Sequence, residues 1–242
     1  MSVANHRMHM SRRVEFIETV SRSRRPRDPY RYPQRLVMKS TIFKLDPSAP
    51  TTTYNPSGPD YIYTFKLPLI PAFAVEYFMI HYGALSTLPD RSHTLTGDVL
   101  TVNPGYNLDD MDCRIVIFYH GIRDYSLLFP NVNPPNLQSR LGEFYREADA
   151  AFDAAAWLSF MLMCGALFEG ILFFKSGANQ SFNDLILSAA TKGTIDSQTR
   201  AIMDSVRQYR NLVHANRYAE LYVSRADAMD TRITLDRLLR EM

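Results

Sequence analysis

The hydrophobic rhythm of the chain changes near residue 134. Before that point β-branched and aromatic residues come in short runs broken by prolines, and after it apolar residues recur three and four residues apart. Tyr61–Leu67, Phe73–Tyr82 and Arg114–His120 are dense in β-branched and aromatic residues, which predicts strands. Thr94–Val102 alternates and predicts a hairpin turning at Gly97-Asp98. Pro68, Pro71, Pro89, Pro104 and Pro130 punctuate these runs. Residues 38–133 are therefore expected to form a small antiparallel β domain, in the manner of a sandwich, suited to sensing or oligomerisation. His81, His93 and His120 fall on different strands without a short-range pair, so no metal site is expected from them.

Asn131–Asn136, with its two prolines, marks the boundary. Four helices are predicted beyond it. The first spans Leu137–Phe174, with a break near Gly165, and carries Leu137, Leu141, Phe144, Ala148 and Phe152 on one face. The second, Phe182–Ala190, has Ser181 as its cap and Asp184 three residues on, and ends at Lys192-Gly193. The third, Ser197–Asn216, is capped by Asp196 or Thr194. The fourth runs from the Ser224/Asp227 cap toward Met242. Short connections predict an antiparallel bundle over residues 134–242, and an α+β chain as a whole.

Charge refines this division. The chain of 242 residues has a net charge of +2, but residues 1–40 hold ten basic against three acidic residues. Residues 1–37 read as a basic, disordered arm in which Arg24, Arg25 and Arg27 are candidate phosphate contacts for a nucleic acid. Cys113 and Cys164 are too few and too far apart for a disulfide framework or a zinc site, and no leader-type apolar segment opens the chain. A reduced, cytoplasmic setting is expected. Ala154–Phe174 contains one charge, Glu169, and is long enough to span a bilayer, but its small residues and its missing flanking belts point to a buried core helix and no membrane.

Candidate chemistry lies on the third helix. With Val206 at zero and about 100° per residue, Ile202, Tyr209, Leu212 and Val213 form an apolar face. Arg210, His214, Arg207 and Asn211 follow at about 40°, 80°, 100° and 140°, a single polar stripe. Two guanidiniums can clamp a phosphate and stabilise transition-state charge. An imidazole beside them can take a proton from a ribose 2′-OH and return one to the leaving oxygen. Such a reaction needs no metal or other cofactor and leaves a 2′,3′-cyclic phosphate and a 5′-OH. Walker A, Gly-x-Gly-x-x-Gly, Gly-x-Ser-x-Gly and His-Glu-x-x-His signatures are absent.

Val206–Ala215 resembles the Arg-(four to six residues)-His motif of HEPN (higher eukaryotes and prokaryotes nucleotide-binding) ribonucleases, in which Asn often follows the Arg. Arg207 and His214 have six residues between them, inside that range, whereas Arg210-Asn211 reproduces the Arg-Asn pair with three residues before His214. Either arginine can be the motif residue. Gly165–Leu172 resembles the family's helix with a buried Glu, so Glu169 is expected to approach the motif and orient an Arg. Over residues 137–242 the resemblance implies a four-helix bundle and a homodimer with a shared RNA cleft. It further implies a metal-independent endoribonuclease acting as a toxin or antiviral-defence (abortive-infection) effector, restrained or triggered through residues 38–133. A non-catalytic HEPN-like module binding a nucleotide, nucleic acid or protein is the alternative. A β-domain protein whose helical tail only oligomerises is a third reading.

Overall fold

The computed structural model describes residues 38–46, 51–54, 61–83, 85–87, 93–104, 107–108 and 111–241. The basic arm, with Arg24, Arg25 and Arg27, lies outside the described residues. Among the described residues eight strands precede the helices: β1 Lys39–Leu45, β2 Thr51–Tyr54, β3 Tyr61–Lys66, β4 Phe73–Tyr82, β5 Leu85–Thr87, β6 His93–Thr96, β7 Val99–Val102 and β8 Cys113–Ile122. They form two four-stranded antiparallel sheets, ordered β1-β8-β4-β5 and β2-β3-β7-β6. The chain is α+β, as its rhythm predicts.

Alternation decides which face of each sheet is buried. Phe43 and Leu45 of β1, Ile115 and Ile117 of β8, and Phe78, Ile80 and Tyr82 of β4 point inward from the first sheet. Tyr63, Phe65, Leu100 and Val102 point inward from the second. The two faces meet where the Tyr82 and His93 rings pack edge-on at 6.1 Å. Buried Tyr63 satisfies its hydroxyl at the end of the second sheet, donating to Asn107 Oδ1 at 2.7 Å and accepting from the Leu108 N–H at 2.9 Å.

Five α-helices follow where the sequence predicts four: α1 Pro135–Asp153, α2 Trp157–Ser176, α3 Phe182–Thr191, α4 Ser197–Tyr209 and α5 Arg225–Arg240. The first predicted helix breaks at Ala154–Ala156, and Gly165 sits inside an unbroken α2. Ala155 adopts φ 56°, while the N–H of Ala156 bonds to Ala151 O and that of Ala155 to Phe152 O, the two bonds of a Schellman stop. Phe152 then packs on Trp157 and Phe160 across the bend, with ring centroids 5.5 and 5.0 Å apart. Aromatic packing on both sides of the corner overrides the helical preference of three alanines.

Helix α2 lies at the centre of this half. Phe160, Met161, Cys164, Leu167, Phe168, Ile171 and Leu172 are buried, and α1, α3, α4 and α5 all pack on it. By length and composition it could also cross a membrane. Caps at Ser181, Asp196 and Ser224 hold as predicted, the last a complete capping box with Asp227.

Strands give way to helices at the predicted point, yet Leu36–Met242 forms one compact unit. The 3-10 turn Tyr125–Leu128 docks against α1, where a Cβ on Gly142 would come within 2.7 Å of the Ser126 backbone nitrogen. Only a glycine permits that approach. A partly buried ionic network reinforces the junction. Arg232 of α5 reaches Asp149 of α1 at 2.8 Å and Asp236 at 3.3 Å. Tyr145 donates to Asp236 at 3.0 Å and Tyr125 to Asp149 at 3.2 Å. Lys39 of β1 approaches Asp153 at 3.2 Å and Asp149 at 3.8 Å. The Arg232 guanidinium also lies over the Tyr145 and Phe152 rings. This network is missing from the sequence reading. Its signal was the placement of charged residues three and four apart beside the core faces of α1 and α5.

Candidate functional site

The polar stripe predicted on one continuous helix is not formed as such. Helix α4 stops at Tyr209, Arg210–Val213 tighten into a 3-10 turn, and His214 is extended at φ −82° and ψ 129°. The side chains that a regular helix would stack therefore diverge after one turn. Val213, predicted on the core face, is 53% exposed. Leu212 and Tyr209 keep partial contact with the core.

Arg210 is the arginine that turns toward α2. Its Nη1 donates to Glu169 Oε2 at 2.9 Å, across 41 residues of sequence. Glu169 thus pairs with one of the two arginines that the sequence leaves open. Two further residues make that crossing possible. Gly165, one turn before Glu169 on α2, leaves the space through which Arg210 passes, since a Cβ there would lie 2.7 Å from Arg210 Cδ. Phe182, the first residue of α3, places its ring under the guanidinium at 5.7 Å. Neither Gly165 nor Phe182 stands out in the sequence. Gly165 interrupts a helical pattern, the signal that more often means a break.

Arg207 is engaged elsewhere. Its Nε is buried without a hydrogen-bond partner, and Asp204 Oδ1 lies 3.7 Å away on the preceding turn of α4. Asn211 and His214 are exposed. The structure brings together Glu169, Arg210, Gly165 and Phe182, with Asn211 adjoining in sequence. It does not bring Arg207 into that group. Residues 214–222 form an exposed excursion, with Tyr218 91%, Leu221 90% and Tyr222 67% exposed, before buried Val223 returns the chain to the core.

The Glu169–Arg210 pair uses one of the five N–H donors of the guanidinium. The remaining donors can bind an anion arriving from solvent, because both side chains are more than a third exposed. Among the described residues no group of three His, Cys, Asp or Glu side chains is arranged to hold a metal ion. The buried thiol of Cys164 is pushed far up by desolvation, and that of Cys113 is raised by burial and by Asp112, which leaves neither as a nucleophile at neutral pH. Compared with known proteins, the chain matches no family model, no curated protein and no solved structure.

Proposed function

We propose that residues 134–242 form a HEPN-like helical module that cleaves RNA without a metal. Arg210 binds the scissile phosphate, and His214 exchanges protons with the 2′-OH and the leaving oxygen. The observation that carries this reading is the Glu169–Arg210 pair, in which an Arg-Asn dipeptide is tied to a carboxylate on a central apolar helix. The pair and the Phe182 ring restrict the guanidinium before any substrate arrives, which favours electrostatic stabilisation in the transition state. Arg207 acts as an outer phosphate contact, and Asn211 orients phosphate or imidazole.

The same reading makes the protein a homodimer and a cytoplasmic toxin or defence effector, with residues 38–133 receiving a regulatory protein or other trigger. The exposed Val213, Tyr218, Leu221 and Tyr222 beside the motif support the dimer, since large apolar side chains grouped on one excursion favour a protein partner over water. Helix α2 serves as a core helix of a soluble protein in this reading, with the other four helices packed around it.

A second reading, a non-catalytic module that binds nucleic acid, nucleotide or protein, draws on the end of α4 at Tyr209. That end leaves Arg207, Arg210 and His214 on separate pieces of backbone. One experiment separates the two. Mixed RNA is incubated in excess EDTA with wild type, His214→Ala and Arg210→Ala, and product ends are analysed. Cleavage by wild type alone, leaving cyclic phosphate, supports the ribonuclease. RNA retention without cleavage by any of the three supports the binding module.

A further inference from the structure

The solvent-facing side of the first sheet is a regular grid. Register places Ser40, Phe118 and Tyr77 in one row across β1, β8 and β4, and Ile42, Val116 and Met79 in the next. Lys44, Arg114 and His81 form the third. Ile42 is 43% and Tyr77 38% exposed, and Met38, 44% exposed, extends the apolar area just before β1. Water thus meets a flat block of aliphatic and aromatic side chains where an antiparallel sheet ordinarily presents polar residues.

The two ends of this block carry opposite charge. Lys44 supplies the positive charge at one end, beside an Arg114 that Asp112 neutralises. At the other, irregular pairing between Val75 and Tyr77 lets Glu76 face outward beside His120, whose Nε2 lies 3.5 Å from Glu76 Oε2. A two-fold axis lying in the face and perpendicular to the line from Lys44 on β1 to Glu76 on β4 would set the Lys44 corner of one copy against the Glu76 corner of another. It would also stack the apolar rows on each other. The grid is therefore complementary to itself, which an isologous contact requires.

We propose that this face is a second self-association surface, distinct from the helical one, through which two copies stack sheet on sheet. A pleated face accepts another at about 10 Å with interdigitated side chains. Single-stranded nucleic acid fits it less well. The Tyr77 and Phe118 rings already stack on each other at 4.3 Å, Arg114 is occupied by Asp112, and Glu76 repels phosphate. Three strands of about five residues make a patch of roughly 14 by 17 Å, well under the roughly 800 Å² per partner of a standard stable interface. The contact is weak and forms only at high local concentration. Added to a helical dimer, it joins dimers into tetramers or longer assemblies.

The test is analytical ultracentrifugation of the full chain over a wide concentration range. Leu221→Asp/Tyr222→Asp serves as background, so that loss of the proposed helical dimer and loss of the sheet contact are read separately. In that background, concentration-dependent dimers are expected, with at least a tenfold fall in association constant for Ile42→Glu. Lys44→Glu and Glu76→Lys each weaken association, and the double variant restores it, a rescue that misfolding cannot mimic. A strictly monomeric background at every concentration overturns the proposal. So does a dimer indifferent to Ile42→Glu, or an oligonucleotide bound through Ile42 with the mass unchanged.

Discussion

Replacing Gly165 by Ala asks whether Arg210 stays in place because α2 lacks a side chain at that point. The added Cβ would lie 2.7 Å from Arg210 Cδ and 3.4 Å from both Arg210 Cγ and Val206 Cγ1. The first distance is far inside contact, so the flexible arginine side chain swings away from Glu169; the others need only small adjustments. Within a helix the exchange gains about 1 kcal/mol in propensity. It loses an ion pair whose side chains are 39% and 38% exposed, worth about 0.2–1 kcal/mol at that exposure. The two effects leave a net gain of about 0–0.8 kcal/mol, and Gly165→Ala unfolds at or slightly above the wild-type urea midpoint. With Arg210→Ala already present there is no pair to lose and no side chain to displace, so the full gain of about 1 kcal/mol appears. The four proteins then show a coupling of about 0.2–1 kcal/mol. On the ribonuclease reading proposed above, RNA cleavage measured alongside is expected to fall in Gly165→Ala to the level of Arg210→Ala, although stability holds. An equal gain of about 1 kcal/mol in both backgrounds, with cleavage retained, refutes the reasoning.

Ala155→Gly relieves a left-handed alanine of about 1 kcal/mol, partly offset by the freer unfolded chain. Calorimetry should show Tm rising by about 1–2 °C for a chain of this size. Asp149→Ala leaves the Arg232 guanidinium, which is 19% exposed, with Asp236 alone. The loss of about 3 kcal/mol expected for a broken buried pair should appear as a lower urea midpoint, and a loss under 1 kcal/mol argues that water reaches the network. The cap Asp196 is held below its usual range by hydrogen bonds from Thr199 and by Arg237. It therefore adds stability above about pH 4 that disappears as pH falls through its lowered value, and Asp196→Ala flattens that part of an acid titration. At the alkaline end, burial and then the Asp149 carboxylate push the Tyr125 hydroxyl up to about 12. Stability present below about pH 10 is thus lost as pH rises toward 12, and Tyr125→Phe removes that loss.

Strands β3, β4, β6, β7 and β8 were legible because β-branched and aromatic runs are local signals, whereas β1, β2 and β5 were not named from the sequence. Phe73–Tyr82 appears where its aromatic and β-branched run puts it, and the hairpin about Gly97-Asp98 where the alternation puts it. Caps were legible for a similar reason, being contacts across three residues. The corner at Ala154–Ala156 was not, since its cause is the meeting of Phe152 with Trp157 and Phe160, while its own residues favour helix. Nor was the end of α4. No Gly or Pro follows Tyr209, and the turn goes with a side chain that reaches Glu169 forty-one residues back. At the candidate site the sequence named Glu169, Arg210, Asn211 and His214, and left the choice between Arg207 and Arg210 open. The structure pairs Arg210 with Glu169 and sets Arg207 beside Asp204, and Gly165 contributes the room that the first contact needs.

The Asp149–Arg232 contact also has a bearing on synthesis. Ribosomes deliver α1 and α2 well before α5, and at about 5–20 residues per second the stretch between Asp149 and Arg240 takes roughly 5–20 s to appear. For that interval the Asp149 carboxylate has no guanidinium and α2 is not yet covered by its full set of neighbours. The Asp149 network is thus completed only when the last described helix arrives, whereas Arg210 finds Glu169, Gly165 and Phe182 already made upstream of it.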